Sequence, residues 1–295
     1  MIDSYRERAP SPALAGAVRT IWIHRTGDAV TVHRHLPTGG VELHVVLGRG
    51  VWLLGPLTTH RIEVIPPGTT ILGVRFRPGA APPLPVPLEE LVDQRVPLAD
   101  LWGGMAERLV DEIAVAETPD RAVPVLEAFL LQRFRVAQAA DPLLRAAVAA
   151  LMPWQPVAVG AVAARVGLSE SQLRRRSLHA VGLSPKALQR ALRFQGFLAL
   201  AQAAAEPRRP RGGDGIAGLA IDAGYADQPH LNRECLRLAG QTPGELLHGG
   251  VERCACGHDH SASYRPFLAG RTLPGPGAGA GGSDRVLSQL RPFAI

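Results

Sequence analysis

The sequence predicts an α+β protein with a small β-rich N-terminal domain, a helical linker and an all-α C-terminal domain. Alternating apolar and polar residues over the first hundred positions indicate short strands. Apolar residues three and four apart then indicate helices, and a helix–turn–helix pattern occurs twice near the end of the chain. The predicted boundaries are 1–87 for the β-rich domain, 88–140 for the linker, 141–249 for the helical domain and 250–295 for a disordered tail rich in Gly and Pro.

The β-rich domain is predicted from six short runs of alternating hydrophobicity. Gly and Pro residues interrupt the runs where turns are expected. Short strands at this spacing favour a small barrel or a sandwich. The six runs are Ala17–His24, Val30–Leu36, Val41–Leu47, Val51–Leu54, Arg61–Ile65 and Ile71–Phe76.

Four side chains of this domain are candidates for holding a metal ion. His33 and His35 alternate on one face of a predicted strand, and Glu42 and His44 do so on the next. Imidazole and carboxylate groups are ligands that divalent transition metals accept. The alternative is that these histidines are half-buried on strand faces, which is the commoner outcome for so short a pattern. We therefore predict neither a metal site nor a cofactor here.

Residues 88–140 show apolar side chains at helical spacing, from Leu88 to Phe134. A break at Glu117–Pro119, with Pro124 beyond it, predicts two helices joined by a turn. Their apolar faces either pack within the chain or pair between the two copies of a homodimer. The sequence favours neither alternative.

Residues 161–188 predict two helices joined by a sharp turn. Gly167 can adopt the left-handed backbone that the corner requires, and Ser169 is suited to cap the second helix. Leu173 on that helix would face the core. Arg side chains opposite it would fit the acceptors of guanine or a phosphate group, although three consecutive Arg residues can also be a solvated surface. The predicted DNA-binding residues of this unit are Ser171, Arg174 and Arg175.

The same pattern recurs at residues 216–246. Gly224 forms the corner, Tyr225 anchors it and Asp227 caps the next helix. A spaced repeat of this kind is much harder to obtain by accident than a single motif. Gln and Arg recognise bases in the major groove, whereas Asn232 is expected to hold a phosphate. The predicted DNA-binding residues of this unit are Gln228, His230, Asn232 and Arg233.

The net charge of +6 is concentrated on the repeat. Residues 1–140 carry 14 basic and 15 acidic side chains, residues 141–250 carry 13 and 8, and residues 251–295 carry 5 and 3. Positive charge on this part of the chain suits phosphate binding, because released counterions supply much of the affinity for DNA. The segment 206–214, rich in Arg and Pro, is expected to be a flexible tether. Double-stranded DNA is the predicted partner.

Residues 141–249 resemble the DNA-binding domain of AraC-family transcription regulators. Two spaced motifs carry the resemblance, one in each helix-turn-helix unit. The matching residues are Leu173, Arg175, Gly182, Ser184 and Pro185 in the first unit, and Gly224, Tyr225, Asp227, Leu231, Arg233, Gly240, Thr242 and Pro243 in the second. The chain departs from the family at Ser177 and Cys235, where a buried Phe is usual, and this should thin the core.

The resemblance implies a sequence-specific regulator whose two recognition helices enter successive segments of the major groove. Sugar-binding members of the family have a cupin-like barrel ahead of the DNA-binding domain, so the β-rich domain is expected to be cupin-like and to act as a sensor. A small-molecule effector would then bind there, and linker helices would mediate a homodimer. Occupancy of DNA would recruit or block RNA polymerase.

Two further hypotheses are open. A metal-responsive sensor could use the histidines of the β-rich domain, or a dense group of thiolate and imidazole ligands in the tail. The tail group is Cys254, Cys256, His258 and His260. The other hypothesis is a protein-interaction adaptor that does not bind DNA.

Composition and motifs argue against several other classes of protein. The longest apolar runs are too short for a membrane span and the first residues lack an export signal, so a cytoplasmic protein is expected. Three Cys residues provide no disulfide framework. Neither a nucleophile–base pair nor a phosphate-binding loop is visible, so an enzyme is not expected.

Overall fold

A computed structural model describes residues 3–136, 141–155, 157–205, 215–248 and 261–268. It confirms the predicted fold class, since strands dominate the first hundred residues and helices the rest. The strands are β1 (Ser4–Arg8), β2 (Val18–Arg25), β3 (Thr31–His35), β4 (Glu42–Val46), β5 (Gly50–Leu54), β6 (Arg61–Ile65), β7 (Thr70–Phe76) and β8 (Arg95–Pro97). The helices are α1 (Leu98–Trp102), α2 (Gly104–Val115), α3 (Pro119–Arg135), α4 (Pro142–Ala150), α5 (Val159–Arg165), α6 (Glu170–Val181), α7 (Pro185–Ala205), α8 (Gly215–Asp222), α9 (Gln228–Ala239), α10 (Pro243–His248) and α11 (Ser261–Leu268).

The strands form a six-stranded antiparallel sheet in the order β1-β2-β7-β4-β5-β8 and a separate antiparallel ribbon of β3 and β6. The six predicted runs correspond to β2 through β7. Sequence periodicity missed β1, whose residues are mostly polar, and β8, which has only three residues. Strand β8 lies inside the segment predicted to be helical and pairs with β5 through Leu53 and Val96.

One face of the six-stranded sheet packs on the helical hairpin of α2 and α3. Residues such as Ile21, Leu43 and Val74 share one buried cluster with Leu109 of α2 and Leu126 of α3. The apolar faces of the linker helices therefore pack against the sheet of the same chain, which was one of the two alternatives; the other was pairing between two copies of a homodimer.

Pro124 does not end a helix, which corrects the prediction of a break there, because it lies inside α3. It is the sixth residue of α3, so the helix continues past it although proline cannot donate the backbone hydrogen bond to Asp120.

The other face of the sheet is lined by aromatic and titratable side chains. Gly73 of β7 makes room for the indole of Trp22, since a Cβ at Gly73 would lie 1.9 Å from that ring. The ring of His44 meets Trp22 edge-on, with centroids 5.2 Å apart. The ring of His35, from β3, stacks on His44 at 5.1 Å. The ribbon therefore covers the polar face of the sheet.

Helix α7 is shared by the two helix-turn-helix units. Its first half supplies Leu188 and Leu192 to a buried cluster that contains residues of α4, α5 and α6. Its second half supplies Phe194 and Phe197 to a cluster with residues of α8 and α9. The long connecting helix thus gives both units their cores.

Helix α11 follows the helix-turn-helix units in the chain but packs against α7, β1 and β2. The Oγ atom of Ser263 lies 2.7 Å from Oε1 of Glu7, and Nη1 of Arg75 donates to the same Oγ at 2.7 Å. The ring of Phe267 lies 5.1 Å from the guanidinium carbon of Arg19. Disorder was expected for these eight residues. They form a helix instead, and its Ser263 and Phe267 side chains are buried. The four Cys and His residues at 254–260 and the basic segment at 206–214 lie outside the described residues.

Candidate nucleic-acid interface

The first candidate recognition helix, α6, begins with a capping box. The Oγ atom of Ser169 accepts from the backbone N–H of Gln172 at 3.2 Å, and Oε1 of Gln172 accepts from the backbone N–H of Ser169 at 2.9 Å. Gly167 forms the preceding corner with φ of +70°. Leu173 is buried against the rest of the unit. These contacts fix which side of α6 faces outward.

The outward side of α6 carries the predicted DNA-binding residues of the first unit. Ser171, Arg174 and Arg175 are exposed. Arg176 instead turns back and pairs through Nη1 with the carboxylate of Asp141, which caps α4. Two of the three consecutive arginines are therefore available to a ligand.

The end of α6 shows how the chain tolerates its departure from the family pattern at Ser177. The hydroxyl of Ser177 is buried and donates to the carbonyl oxygen of Leu183 at 2.6 Å. Between them, Gly182 ends the helix with φ of +77°. A hydrogen bond across the C-terminal turn thus stands where a large apolar side chain was expected.

The second candidate recognition helix, α9, is capped by Asp227, whose Oδ1 accepts from the backbone N–H of His230 at 2.6 Å. Gln228 and Arg233 are exposed, and Asn232 is half-buried. The ring of His230 packs edge-on against Tyr225, and its Nδ1 accepts from the backbone N–H of Ala226 at 3.4 Å. His230 thus supports the corner of its own unit as well as lying near the outward surface.

Helix α7 also orients α9 through two arginines. Nε of Arg190 lies 3.1 Å from Oε2 of Glu234, and the guanidinium of Arg193 lies 5.8 Å from the centre of the Tyr225 ring. Both contacts join the connecting helix to the second unit. They help to fix the position of α9 relative to α6.

The β-rich domain packs on the C-terminal ends of both candidate recognition helices. A Cβ at Gly182 would lie 2.8 Å from Cγ of Pro56, and one at Gly240 would lie 2.4 Å from Cε1 of His60. Thr59 donates to the carbonyl oxygen of Arg237 at 2.8 Å. The outward arginines near the start of each helix remain exposed.

The four side chains weighed as candidate metal ligands, His33, His35, Glu42 and His44, are only partly brought together. His35 of β3, His44 of β4 and Glu63 of β6 each place one ligand atom within 4.8 Å of the other two. Glu42 instead bonds Nε2 of His44 at 3.3 Å and Nε of Arg75 at 3.2 Å. Glu63 was missed, although the alternation of Arg61–Ile65 places it on the polar side of its strand.

Burial and pairing perturb the ionisation of this cluster. Burial lowers the pKa of His44, and its hydrogen bond to Glu42 opposes that shift only in part. Burial acts to raise the pKa of Glu63, but the hydrogen bond and charge of His35, together with Arg95, lower it to about 2. The carboxylate of Glu63 is therefore ionised at neutral pH.

Two family models match the chain. Residues 162–249 match a helix-turn-helix domain, and residues 6–97 match a domain of unknown function, DUF6597. The first match spans α6 and α9 with their corners and caps. The chain carries an AraC-type helix-turn-helix domain.

The AraC-type domain supports the assignment of the chain as a DNA-binding transcription regulator. The matched β-rich domain precedes it, with strand β8 ending at the boundary of the match. None of the described helices combines the length and the apolar character that crossing a membrane requires.

Solved structures of ToxT from Vibrio cholerae are similar to this chain. One, at 1.65 Å resolution, has 9% identity and a TM-score of 0.40, and the alignment covers 83% of this chain and 98% of that one. Another, from strain O395, has 9% identity and a TM-score of 0.41, with 77% and 95% covered. A third, wild-type ToxT bound to an unsaturated fatty acid, has 11% identity and a TM-score of 0.38, with 88% and 97% covered. A search of curated proteins gave no match.

Proposed function

We propose that this chain regulates transcription by binding double-stranded DNA sequence-specifically, with α6 and α9 in successive segments of the major groove. The observation that carries this proposal is the pair of capped helices, each with exposed arginine on the side opposite its buried residues. A B-DNA major groove admits an α-helix, and the acceptors of guanine suit a guanidinium group. Because α7 contributes to the cores of both helix-turn-helix units, it would hold α6 and α9 in a fixed relative position on DNA.

The seven predicted residues divide between base and phosphate contacts in this proposal. Arg174, Arg175 and Arg233 have the reach and charge to contact guanine, and Gln228 can pair with adenine. Ser171 and Asn232 are assigned to phosphate oxygens, which set register rather than sequence. His230 is assigned to the backbone beside them, since its Nδ1 already serves the corner at Ala226.

The β-rich domain is the proposed sensor of the regulator. It contacts the C-terminal ends of α6 and α9 at Gly182 and Gly240. A small-molecule effector that shifted this domain would change how the two helices are presented to DNA. Binding at an operator would then recruit or block RNA polymerase. A homodimer would double the number of grooves contacted, using surface other than the buried α2–α3 faces.

Selection of bound sequences from a random pool of duplex DNA tests the proposal directly. We expect an enriched motif with two blocks whose centres are about 10–10.5 bp apart, one helical turn. A variant with Arg174→Ala and Arg175→Ala should lose the block that α6 contacts and retain the other. The absence of a common motif, even at low ionic strength where non-specific affinity is highest, would refute sequence-specific binding.

A further inference from the structure

We propose that His35, His44 and Glu63 form a binding site for one divalent transition-metal ion of the zinc type. The three residues come from β3, β4 and β6, so the site would join the ribbon to the six-stranded sheet. Two imidazoles and one carboxylate are a ligand set that zinc accepts, with the fourth position left to water.

The distances between the three side chains suit such an ion. One ligand atom from each lies within 4.8 Å of the other two, and Nε2 of His35 is 2.9 Å from Oε2 of Glu63. Ligand atoms around a tetrahedral zinc ion lie about 3.3 Å apart, since its bonds are about 2.0–2.1 Å long. Small side-chain movements would close the remaining gap. The ion would take the place of the hydrogen bond between Nε2 of His35 and Oε2 of Glu63, because a nitrogen that binds a metal carries no proton.

The surroundings resemble the outer shell of a metal site. With Nδ1 of His44 as the ligand atom, Nε2 of the same ring keeps its 3.3 Å bond to Glu42, which is the usual place for the carboxylate partner of a metal-bound histidine. Arg75 holds Glu42 through its Nε. Nη2 of Arg95 lies 3.5 Å from Oε1 of Glu63, which leaves Oε2 for the ion.

An ion could reach the site and keep a water ligand. The side chain of Glu63 is 21% exposed, whereas that of His44 is 2% exposed. A cavity of about 60 Å³ reaches the cluster at His35, and its other lining residues include His33, Glu42, Arg19 and Arg75. That volume holds a few water molecules and is much smaller than the roughly 300–1,000 Å³ of a pocket for a drug-sized ligand.

The proposed ion would also stiffen the support of the second recognition helix. Arg34, next to His35 on β3, donates to the carbonyl oxygen of Ala239 at 2.8 Å. Thr59, just before β6, donates to the carbonyl oxygen of Arg237. Binding at His35 and Glu63 would therefore fix both strands of the ribbon that contact α9.

Zinc binding by the full-length chain tests the site. Because the tail could bind zinc by itself, the background for all measurements replaces its four ligands, Cys254→Ser, Cys256→Ser, His258→Gln and His260→Gln. After chelator treatment and dialysis against zinc, we expect one zinc ion per chain by elemental analysis. Competition with a chromophoric chelator then gives the affinity.

Ligand variants decide which residues hold the ion. Glu63→Gln and His44→Gln should each weaken zinc binding by more than the roughly 10- to 100-fold that the loss of an outer-shell partner causes. His60→Gln, in the loop before β6 and outside the cluster, is the control and should bind as the background does. Circular dichroism verifies the fold, and the partly exposed Glu63 keeps the test valid if His44→Gln does not fold.

Three results would overturn the proposal: no bound zinc, zinc affinity unchanged by Glu63→Gln, or an equal loss in His60→Gln. The link to the ribbon has its own measurement. Zinc should slow hydrogen exchange of the β3 and β6 amides in the background protein, and unchanged exchange would refute cross-linking of the ribbon. All these measurements are independent of DNA binding, so they stand whether or not the random-pool selection succeeds.

Discussion

Arg34 of β3 donates a hydrogen bond of 2.8 Å from Nη1 to the carbonyl oxygen of Ala239, the last residue of α9. The carbonyl groups at a helix C-terminus lack partners within the helix and carry partial negative charge, so a guanidinium is a favourable partner there. This bond ties the β-rich domain to a recognition helix.

Replacing Arg34 with Met should weaken this attachment while keeping most of the apolar stem. A hydrogen bond from a charged group contributes about 1.5–3 kcal/mol, and we expect a loss of that size in the free energy of unfolding. Urea denaturation measures the loss, and hydrogen exchange should show faster opening at the end of α9. Arg8→Met, at an exposed position on β1, is the control and should change the free energy by less than about 0.5 kcal/mol.

Alanine substitutions at two glycines of the first helix-turn-helix unit can distinguish the cost of backbone strain from the cost of losing contact with the β-rich domain. Gly167 and Gly182 both have left-handed φ, +70° and +77°, so Ala at either position costs about 1–2 kcal/mol. A Cβ at Gly167 meets nothing within 4 Å, whereas one at Gly182 would lie 2.8 Å from Cγ of Pro56 in the β-rich domain and 2.8 Å from the backbone oxygen of Leu88. Thermal unfolding should therefore show a larger destabilisation for Gly182→Ala. Equal destabilisation would mean that the β-rich domain does not pack on this corner.

The recognition arginines can be tested against a neighbour that is otherwise occupied. Arg175→Ala and Arg233→Ala should each weaken binding to the selected DNA by about 1–3 kcal/mol if they contact bases. Arg176→Ala should weaken it less, because Arg176 is paired with Asp141. Fluorescence anisotropy with selected and random duplexes measures both affinities. An equal loss on both duplexes would reassign that arginine to the phosphate backbone.

Cys235 should resist alkylation in the native protein. It is fully buried in α9, and burial raises the pKa of its thiol to about 12, so very little thiolate forms at neutral pH. In a chain with Cys254→Ser and Cys256→Ser, iodoacetamide labelling followed by mass spectrometry should detect modification only after denaturant is added. Rapid labelling of the native chain would show that α9 opens readily from its core.

Local chemistry explains why the helix-turn-helix units could be located from sequence. Gly167, Ser169 and Asp227 each act on backbone within a few residues, so their types specify a corner or a cap wherever the fold places them. The outward position of Arg175 then follows from the helical period once Leu173 is known to face the core. Which outward residues contact bases stays a prediction.

Contacts between distant segments could not be predicted in the same way. Alternation along β6 indicates that Glu63 lies on the polar side of its strand, but not that β6 pairs with β3 or faces His44. Ser263 carries no sequence signal for its bonds to Glu7 and Arg75, which are 256 and 188 residues away. Such contacts depend on the order of strands in the sheet and on how the domains pack. The periodicity of apolar residues in the sequence indicates neither.

Helix α11 packs against β1 and β2, so residues far apart in the sequence lie side by side in the fold. Its Ser263 hydrogen-bonds to Glu7 of β1 within a buried polar network. During synthesis, β1 can therefore acquire these partners only after nearly all the described residues have been translated. A hybrid regulator made by grafting residues 162–249 onto a foreign sensor would omit this helix. A chain cut after residue 249 would also lack this helix and would expose Arg19 and Arg75, which the helix covers in the intact chain.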